Sequence, residues 1–163
     1  MSFQTVIEKY RASSFSLRNL GDRFERLMQS FLQTYQPYDG KFEEVWLWSD
    51  FPYRDEFGSG QDIGIDLVCK TFENEYWAVQ CKCYGDDVSI SKDDVDSFLS
   101  ASGKMFHGTN GTFTRFSHRV WISTTNNWSS HAEESLWNQV PEVHRLNLIF
   151  LVIFHKNICL KLL

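Results

Sequence analysis

Two closely spaced apolar runs, Ile63–Lys70 and Tyr76–Tyr84, restrict the fold of this chain more than any other part of its sequence. The five residues between them, Thr71-Phe72-Glu73-Asn74-Glu75, suffice for a turn and are too few for a crossover, so the runs predict an antiparallel hairpin. Strand alternation places Ile63, Ile65 and Leu67 on one face and Asp62, Gly64, Asp66 and Val68 on the other. In the second run it places Gln80 and Lys82 together, opposite Val79, Cys81 and Cys83. Asp66 is thus expected beside Gln80 and Lys82. Polar groups set into apolar strands cost free energy unless a partner or a ligand compensates, which makes these three the informative residues.

The rest of the chain supplies the elements around that hairpin. Leu20, Phe24, Leu27, Met28, Phe31, Leu32 and Tyr35 recur at helical spacing and predict a helix over Leu20–Tyr35 capped by Asn19. After the turn at Tyr38-Asp39-Gly40, Glu44–Trp48 reads as a short strand and Asp50–Gly60 as a loop. Ser91 and Asp94 open a second helix carrying Val95, Phe98 and Leu99 and ended by Gly103. Lys104–Ser117 reads as a loop, Arg119–Thr125 as a buried strand, and Ser130 with Glu133 as a capping box for a helix running to Gln139 before Pro141. Leu146–Phe154 is expected to form a last strand. The order α-β-β-β-α-β-α-β suits an α/β fold, a mixed β-sheet flanked by helices, in a single domain over residues 1–163.

Charge and cysteine use narrow the function classes. With 16 basic against 21 acidic residues the net charge is −5, so the chain lacks the positive field of a free-standing nucleic-acid binder, and if it meets nucleic acid something else must help it bind. The cysteines at 69, 81, 83 and 159 form no CxxC pair and read as buried thiols of a reducing compartment, and the five His fall at no metal-ligand spacing. The N-terminus lacks a signal-peptide core and no run approaches the ~20 apolar residues that cross a bilayer. A cytoplasmic location without membrane contact is the expectation.

The hard oxygens of Asp66, the Gln80 side chain and the Cys81 backbone carbonyl suit Mg²⁺, with Mn²⁺ able to take its place, and such an ion polarises a phosphate oxygen. Lys82 beside them can hold an attacking water and offset developing charge. A second reading of the same residues is an Asp-Lys ion pair across a hairpin, which by itself does little. Asn126-Asn127-Trp128 could meet DNA phosphate or simply lead into a helix. Lys92, Lys104, Arg115 and Arg119 could line a DNA groove or be scattered surface charge, so the DNA-binding residues are left unassigned.

The segments Gly60-Gln61-Asp62-Ile63-Gly64-Ile65-Asp66-Leu67-Val68 and Tyr76-Trp77-Ala78-Val79-Gln80-Cys81-Lys82-Cys83-Tyr84 together resemble the Mrr-like branch of the PD-(D/E)XK nuclease superfamily. In that branch Gln commonly replaces the acidic residue before the lysine. The likeness is greatest to the N-terminal nuclease domain of type ISP restriction-modification enzymes, which also carry helicase-like ATPase, methyltransferase and target-recognition domains. It runs from about Leu20 to about Leu148 and includes Phe24-Glu25-Arg26-Leu27, Val45-Trp46-Leu47-Trp48, Asp96-Ser97-Phe98-Leu99 and Ile122-Ser123-Thr124-Thr125-Asn126. The resemblance implies a restriction-endonuclease-like core and a Mg²⁺-dependent DNA endonuclease of a restriction-type defence system. Asp66 becomes the metal-binding aspartate, Gln80 the variant acidic position and Lys82 the motif lysine. Glu25 matches a helix glutamate that in many of these nucleases faces the metal waters, although a solvated helix flank fits it as well. Asp62, in the same glycine-rich signature, is a further candidate.

Two other classes stay open at this point: a catalytically silent nucleic-acid-binding or assembly module with the same fold, and an unrelated small α/β protein. Metal-dependent nicking separates the first reading from both. The likeness fades after about Leu148, and the apolar stretch 149–163 has neither linker composition nor helical periodicity. It is expected to be a divergent tail, left either by truncation of a longer type ISP-like enzyme or as a natural terminal strand with a few packed residues.

Overall fold

The amphipathic stripe from Leu20 onward does form a helix, but its cap is Ser16, whose hydroxyl accepts from the Asn19 amide at 3.0 Å and starts the helix at Leu17. The computed structural model describes residues 3–58 and 63–147. In chain order its elements are α1 (Phe3–Ser13), α2 (Leu17–Thr34), β1 (Phe42–Leu47), β2 (Leu67–Thr71), β3 (Tyr76–Lys82), α3 (Lys92–Ser102), β4 (Met105–His107), β5 (Phe113–Ser123), α4 (Ser130–Leu136) and β6 (Val143–Asn147). The sheet runs β1-β2-β3-β5-β4, with β6 also on β5. β2 is antiparallel to both β1 and β3, whereas β3 and β6 both lie parallel to β5. The mixed sheet and flanking helices are the α/β fold that the sequence implies.

Alternation in β2 and β3 decides where each helix packs. Leu67, Cys69, Trp77, Val79 and Cys81 meet Phe24, Leu27, Met28 and Phe31 of α2 and Phe3 and Ile7 of α1. Val68, Tyr76 and Ala78 meet Val95, Phe98 and Ala101 of α3 on the other face. The second core continues into Trp48, Phe51, Phe57 and Phe106, a run of edge-to-face and tilted ring contacts at 5.2–5.6 Å. No helix of the described residues is long and apolar enough to cross a membrane.

Further expectations are corrected. α1 adds an element that the expected order lacks: Phe3, Val6, Ile7 and Tyr10 fall at i, i+3, i+4 and i+7 and pack on the first core, a stripe only two turns long. The run from Ile63 is not strand before Leu67: Gly64 takes φ +87 and turns the chain, so that Ile65 joins the second core while Leu67 joins the first. The Lys104–Ser117 stretch is not a loop but β4, a tight turn with Asn110 and Gly111 at positive φ, and the start of β5. Turn residues there mark the reversal only, and a three-residue strand is too short for a pattern. The capping hydroxyl of α4 is Ser129, which accepts from Ala132 at 3.2 Å, and the helix stops at Leu136 instead of Gln139. Among the described residues the last strand is Val143–Asn147, which starts three residues before the expected Leu146. The remainder of that expected strand, the 149–163 tail and Asp62 lie outside the described residues.

Candidate active site

Asp66 immediately precedes β2, and its backbone is gripped from both sides. Its N–H donates to Val79 O at 2.9 Å and its carbonyl accepts from Trp48 at 2.8 Å. With Leu67 buried in one core and Val68 in the other, the carboxylate is turned toward β3. There Oδ2 accepts from the Cys81 amide at 2.7 Å and from Gln80 Nε2 in a short hydrogen bond.

Gln80 is the unusual member. Its side chain sits on the α3 face of β3 and is only 3% exposed. Nε2 lies against Asp66 Oδ2 and 3.5 Å from the Cys81 carbonyl, while Oε1 is buried without a hydrogen-bond partner. An unsatisfied buried acceptor of this kind carries a desolvation cost of about 1–3 kcal/mol. The amide nitrogen therefore stands between two oxygens that a cation would also attract. The Cys81 thiol points the other way, into the first core, and burial pushes its pKa well up, with the charges of Asp66 and Glu25 adding to the effect. It is not a nucleophile.

Lys82 closes β3 on the same face as Gln80. Its ammonium lies 3.2 Å from Asp94 Oδ1 and 5.9 Å from the centroid of the Tyr84 ring. Partial burial acts to lower its pKa, but Tyr84, Asp94 and Asp66 outweigh that and hold it above the usual lysine value. Asp94 is a residue that sequence reasoning used only as a helix cap. Its Oδ2 accepts from Ser91 Oγ at 2.8 Å and from the Tyr84 hydroxyl at 3.1 Å while Oδ1 faces Lys82. Burial works to raise its pKa, and the hydrogen bonds from Ser91 and the charge of Lys82 prevail and lower it. No sequence signal marks this pair: it arises because the acidic first turn of α3 folds back over the end of β3.

A cavity of about 450 Å³ opens beside this group, between Gly64, the end of β3, and Asp94, Ser97 and Ala101 of α3, with Lys104 at its margin. The chain enters it tightly, since a Cβ on Gly64 would stand 2.8 Å from the backbone at Ser97 and Phe98. Glu25 is half-buried on α2, the helix that covers the opposite face of β3, and its charge reaches the Cys81 thiol. The structure thus gathers Asp66, Gln80, the Cys81 carbonyl and Lys82 at one end of the sheet and sets Glu25 across from them. Among the described residues no three His, Cys, Asp or Glu side chains form a metal-holding group, so an ion here would draw on amide and carbonyl oxygens and water as well as on carboxylate.

The remaining candidates divide. Arg119 is not surface charge: it is buried, donating to Gln139 Oε1 at 3.3 Å and Pro141 O at 3.1 Å. Lys92 pairs with Asp96, and Lys104 donates to the Phe57 carbonyl at 3.0 Å. Arg115 is exposed. The 126–128 loop leads into α4 and is held by Ile90, which donates to Asn127 O at 2.8 Å and accepts from Ser129 at 3.1 Å.

Comparison with known proteins bears on the family and the fold. A family profile described as restriction endonuclease matches residues 33–153. The chain resembles an ATP-dependent type ISP restriction-modification enzyme, LlaBIII, solved bound to DNA, at TM-score 0.68 and 23% identity, covering 93% of this chain and 8% of that one. It also resembles the DNA modification-dependent restriction endonuclease AspBHI at TM-score 0.52 and 15% identity, covering 91% of this chain and 32% of that one. The chain therefore spans a small part of either relative, and these likenesses speak to the fold. No curated protein matches it.

Proposed function

We infer that this chain, which belongs to the restriction endonuclease family matched over residues 33–153, hydrolyses phosphodiester bonds of DNA with the help of a divalent cation, Mg²⁺ or Mn²⁺. The observation that carries this reading is the Gln80 amide: buried, with one end held between Asp66 Oδ2 and the Cys81 carbonyl and the other unpartnered. Turned over, that amide presents an oxygen to the same two oxygens, an arrangement that repels without a cation and is stabilised by one. Asp66, Gln80 and the Cys81 carbonyl would hold the ion. When bound, it supplies Lewis acidity and draws negative charge from the phosphate.

The residues of this chain do the remaining work. The Cys81 amide and the backbone bonds at Asp66 fix the carboxylate so that little reorganisation accompanies binding. Lys82, held charged by Asp94 and Tyr84, orients water and offsets negative charge growing on the phosphate. Glu25, on α2 across the strand end, would accept a hydrogen bond from a metal-bound water, the role implied by its likeness to the family's helix glutamate. With net charge −5 the module would depend on further segments or partners for its DNA target, of the ATPase, methyltransferase and target-recognition kinds expected from the type ISP resemblance.

The test is nicking of supercoiled plasmid with Mg²⁺ and with EDTA. Metal-dependent nicking by the purified chain supports the reading. DNA binding without nicking, at any Mg²⁺ or Mn²⁺ concentration, supports a silent module instead.

A further inference from the structure

Phe15 and Leu17 are among the most exposed large apolar side chains of the described residues, at 89% and 87%, and they stand two apart, Phe15 on the turn between α1 and α2 and Leu17 as the first residue of α2. Their exposure is not looseness. Ser14 N–H donates to Tyr10 O at 2.9 Å, Ser16 caps α2, and Arg23 donates to Ser13 Oγ at 2.7 Å and Ser14 Oγ at 3.3 Å while its guanidinium lies 4.9 Å from the Tyr10 ring centroid. A rigid turn therefore holds two apolar side chains in water, at a cost that a partner surface would recover.

The charge around the turn opposes that of the molecule. Residues 9–26 hold five basic groups, Lys9, Arg11, Arg18, Arg23 and Arg26, against Asp22 and Glu25, while the rest of the chain has eleven basic and nineteen acidic residues. Arg18 and Arg26 are exposed. The turn also lies near the Lys82 end of β3, because Arg11 Nη2 donates to the carbonyl of Tyr84, two residues beyond Lys82, at 2.5 Å. α2 leads from it directly to Glu25.

We propose that the α1–α2 turn is a DNA-contacting surface of this chain, with Arg18 and Arg26 on phosphates and Phe15 and Leu17 against the sugar and base faces of a groove. Apolar wedges flanked by arginine are a known way to grip a duplex without reading its sequence. The local positive charge supplies the salt-dependent attraction that the chain as a whole lacks. The proposal rests on the nuclease reading only in taking DNA to be the polyanion. It lies almost wholly outside the 33–153 segment that defines the family.

Fluorescence anisotropy of a short labelled duplex with the full chain, in EDTA and at low salt, tests it without cleavage. Phe15→Ala is expected to weaken binding about fivefold or more at an unchanged salt slope. Arg18→Ala should reduce the slope of log K against log salt by about 1. Val140→Ala, equally exposed at 87% but distant in sequence, should change neither. Unaltered affinity in both Phe15→Ala and Arg18→Ala, or an equal loss in Val140→Ala, overturns the proposal. A fall in sedimentation mass of Phe15→Ala with DNA affinity intact also overturns it and assigns the face to a second copy of the chain. Because binding is read without metal, a chain that binds through this turn yet never nicks DNA would defeat the nuclease reading alone.

Discussion

Gln80 is where a single residue decides most. As an amide it donates to Asp66 in the absence of metal, which a glutamate cannot do unless protonated. Gln80→Glu is therefore expected to lower the metal-free stability by about 1–3 kcal/mol, through two carboxylates sharing one site, and to gain more in melting temperature from Mg²⁺ than the native chain does. Thermal unfolding with EDTA and with Mg²⁺ measures both, and an unchanged metal-free melting temperature would contradict the account. Asp94 is the other residue whose charge state matters. Its folded pKa is depressed, so its contribution is fully present above the ordinary aspartate value and is lost as pH falls through the lower folded value, in a window at and below about pH 4. Urea midpoints at pH 6 and pH 3 should thus drop less in Asp94→Asn than in the native chain. An equal drop would show that the Lys82 and Ser91 contacts do not perturb this carboxyl.

Among the elements, the segment before β2 is the most constrained. Gly64 combines φ +87 with a missing Cβ that would meet the α3 backbone at 2.8 Å, so neither a side chain nor a right-handed backbone fits. Gly64→Ala is expected to cost about 2 kcal/mol or more and to disturb the cavity beside Lys82, whereas Gly21→Ala, with open space at its Cβ and a helical position on α2, should be neutral or stabilising. Chemical denaturation of the two variants compares them directly, and equal midpoints would remove the structural role given to Gly64. The same segment shows what a sequence discloses and what it hides. The hairpin of β2 and β3 was readable because both strands are buried on two faces and joined by a short turn, and the meeting of Asp66 with Gln80 followed from its register. The α3 start was readable from the Ser91–Asp94 capping box, which forms as expected. The break at Gly64 was not, because alternation assumes a strand and gives no sign of a glycine pressed against a distant helix. Asp94 was hidden for a related reason: its sequence role as a cap is complete without Lys82, and only the folding of α3 over β3 adds the ion pair.

For the whole molecule, charge and fold pull in different directions. A restriction-endonuclease fold with net charge −5 has little long-range attraction for DNA, and residues 9–26 around the first two helices are one of its net-positive stretches. At physiological salt the isolated chain is expected to bind duplex DNA weakly and without sequence preference, with affinity falling steeply as salt rises. Tight binding to one sequence over scrambled duplexes, in competition anisotropy, would contradict this. The central claim, that the end of β3 is a metal-dependent phosphodiesterase site, is tested most directly by Mg²⁺-dependent nicking of supercoiled plasmid by the native chain beside Asp66→Ala and Lys82→Ala, each checked by circular dichroism for an intact fold. The account predicts nicking by the native chain, abolished in both variants and by EDTA; nicking that persists in folded Asp66→Ala or Lys82→Ala would contradict it.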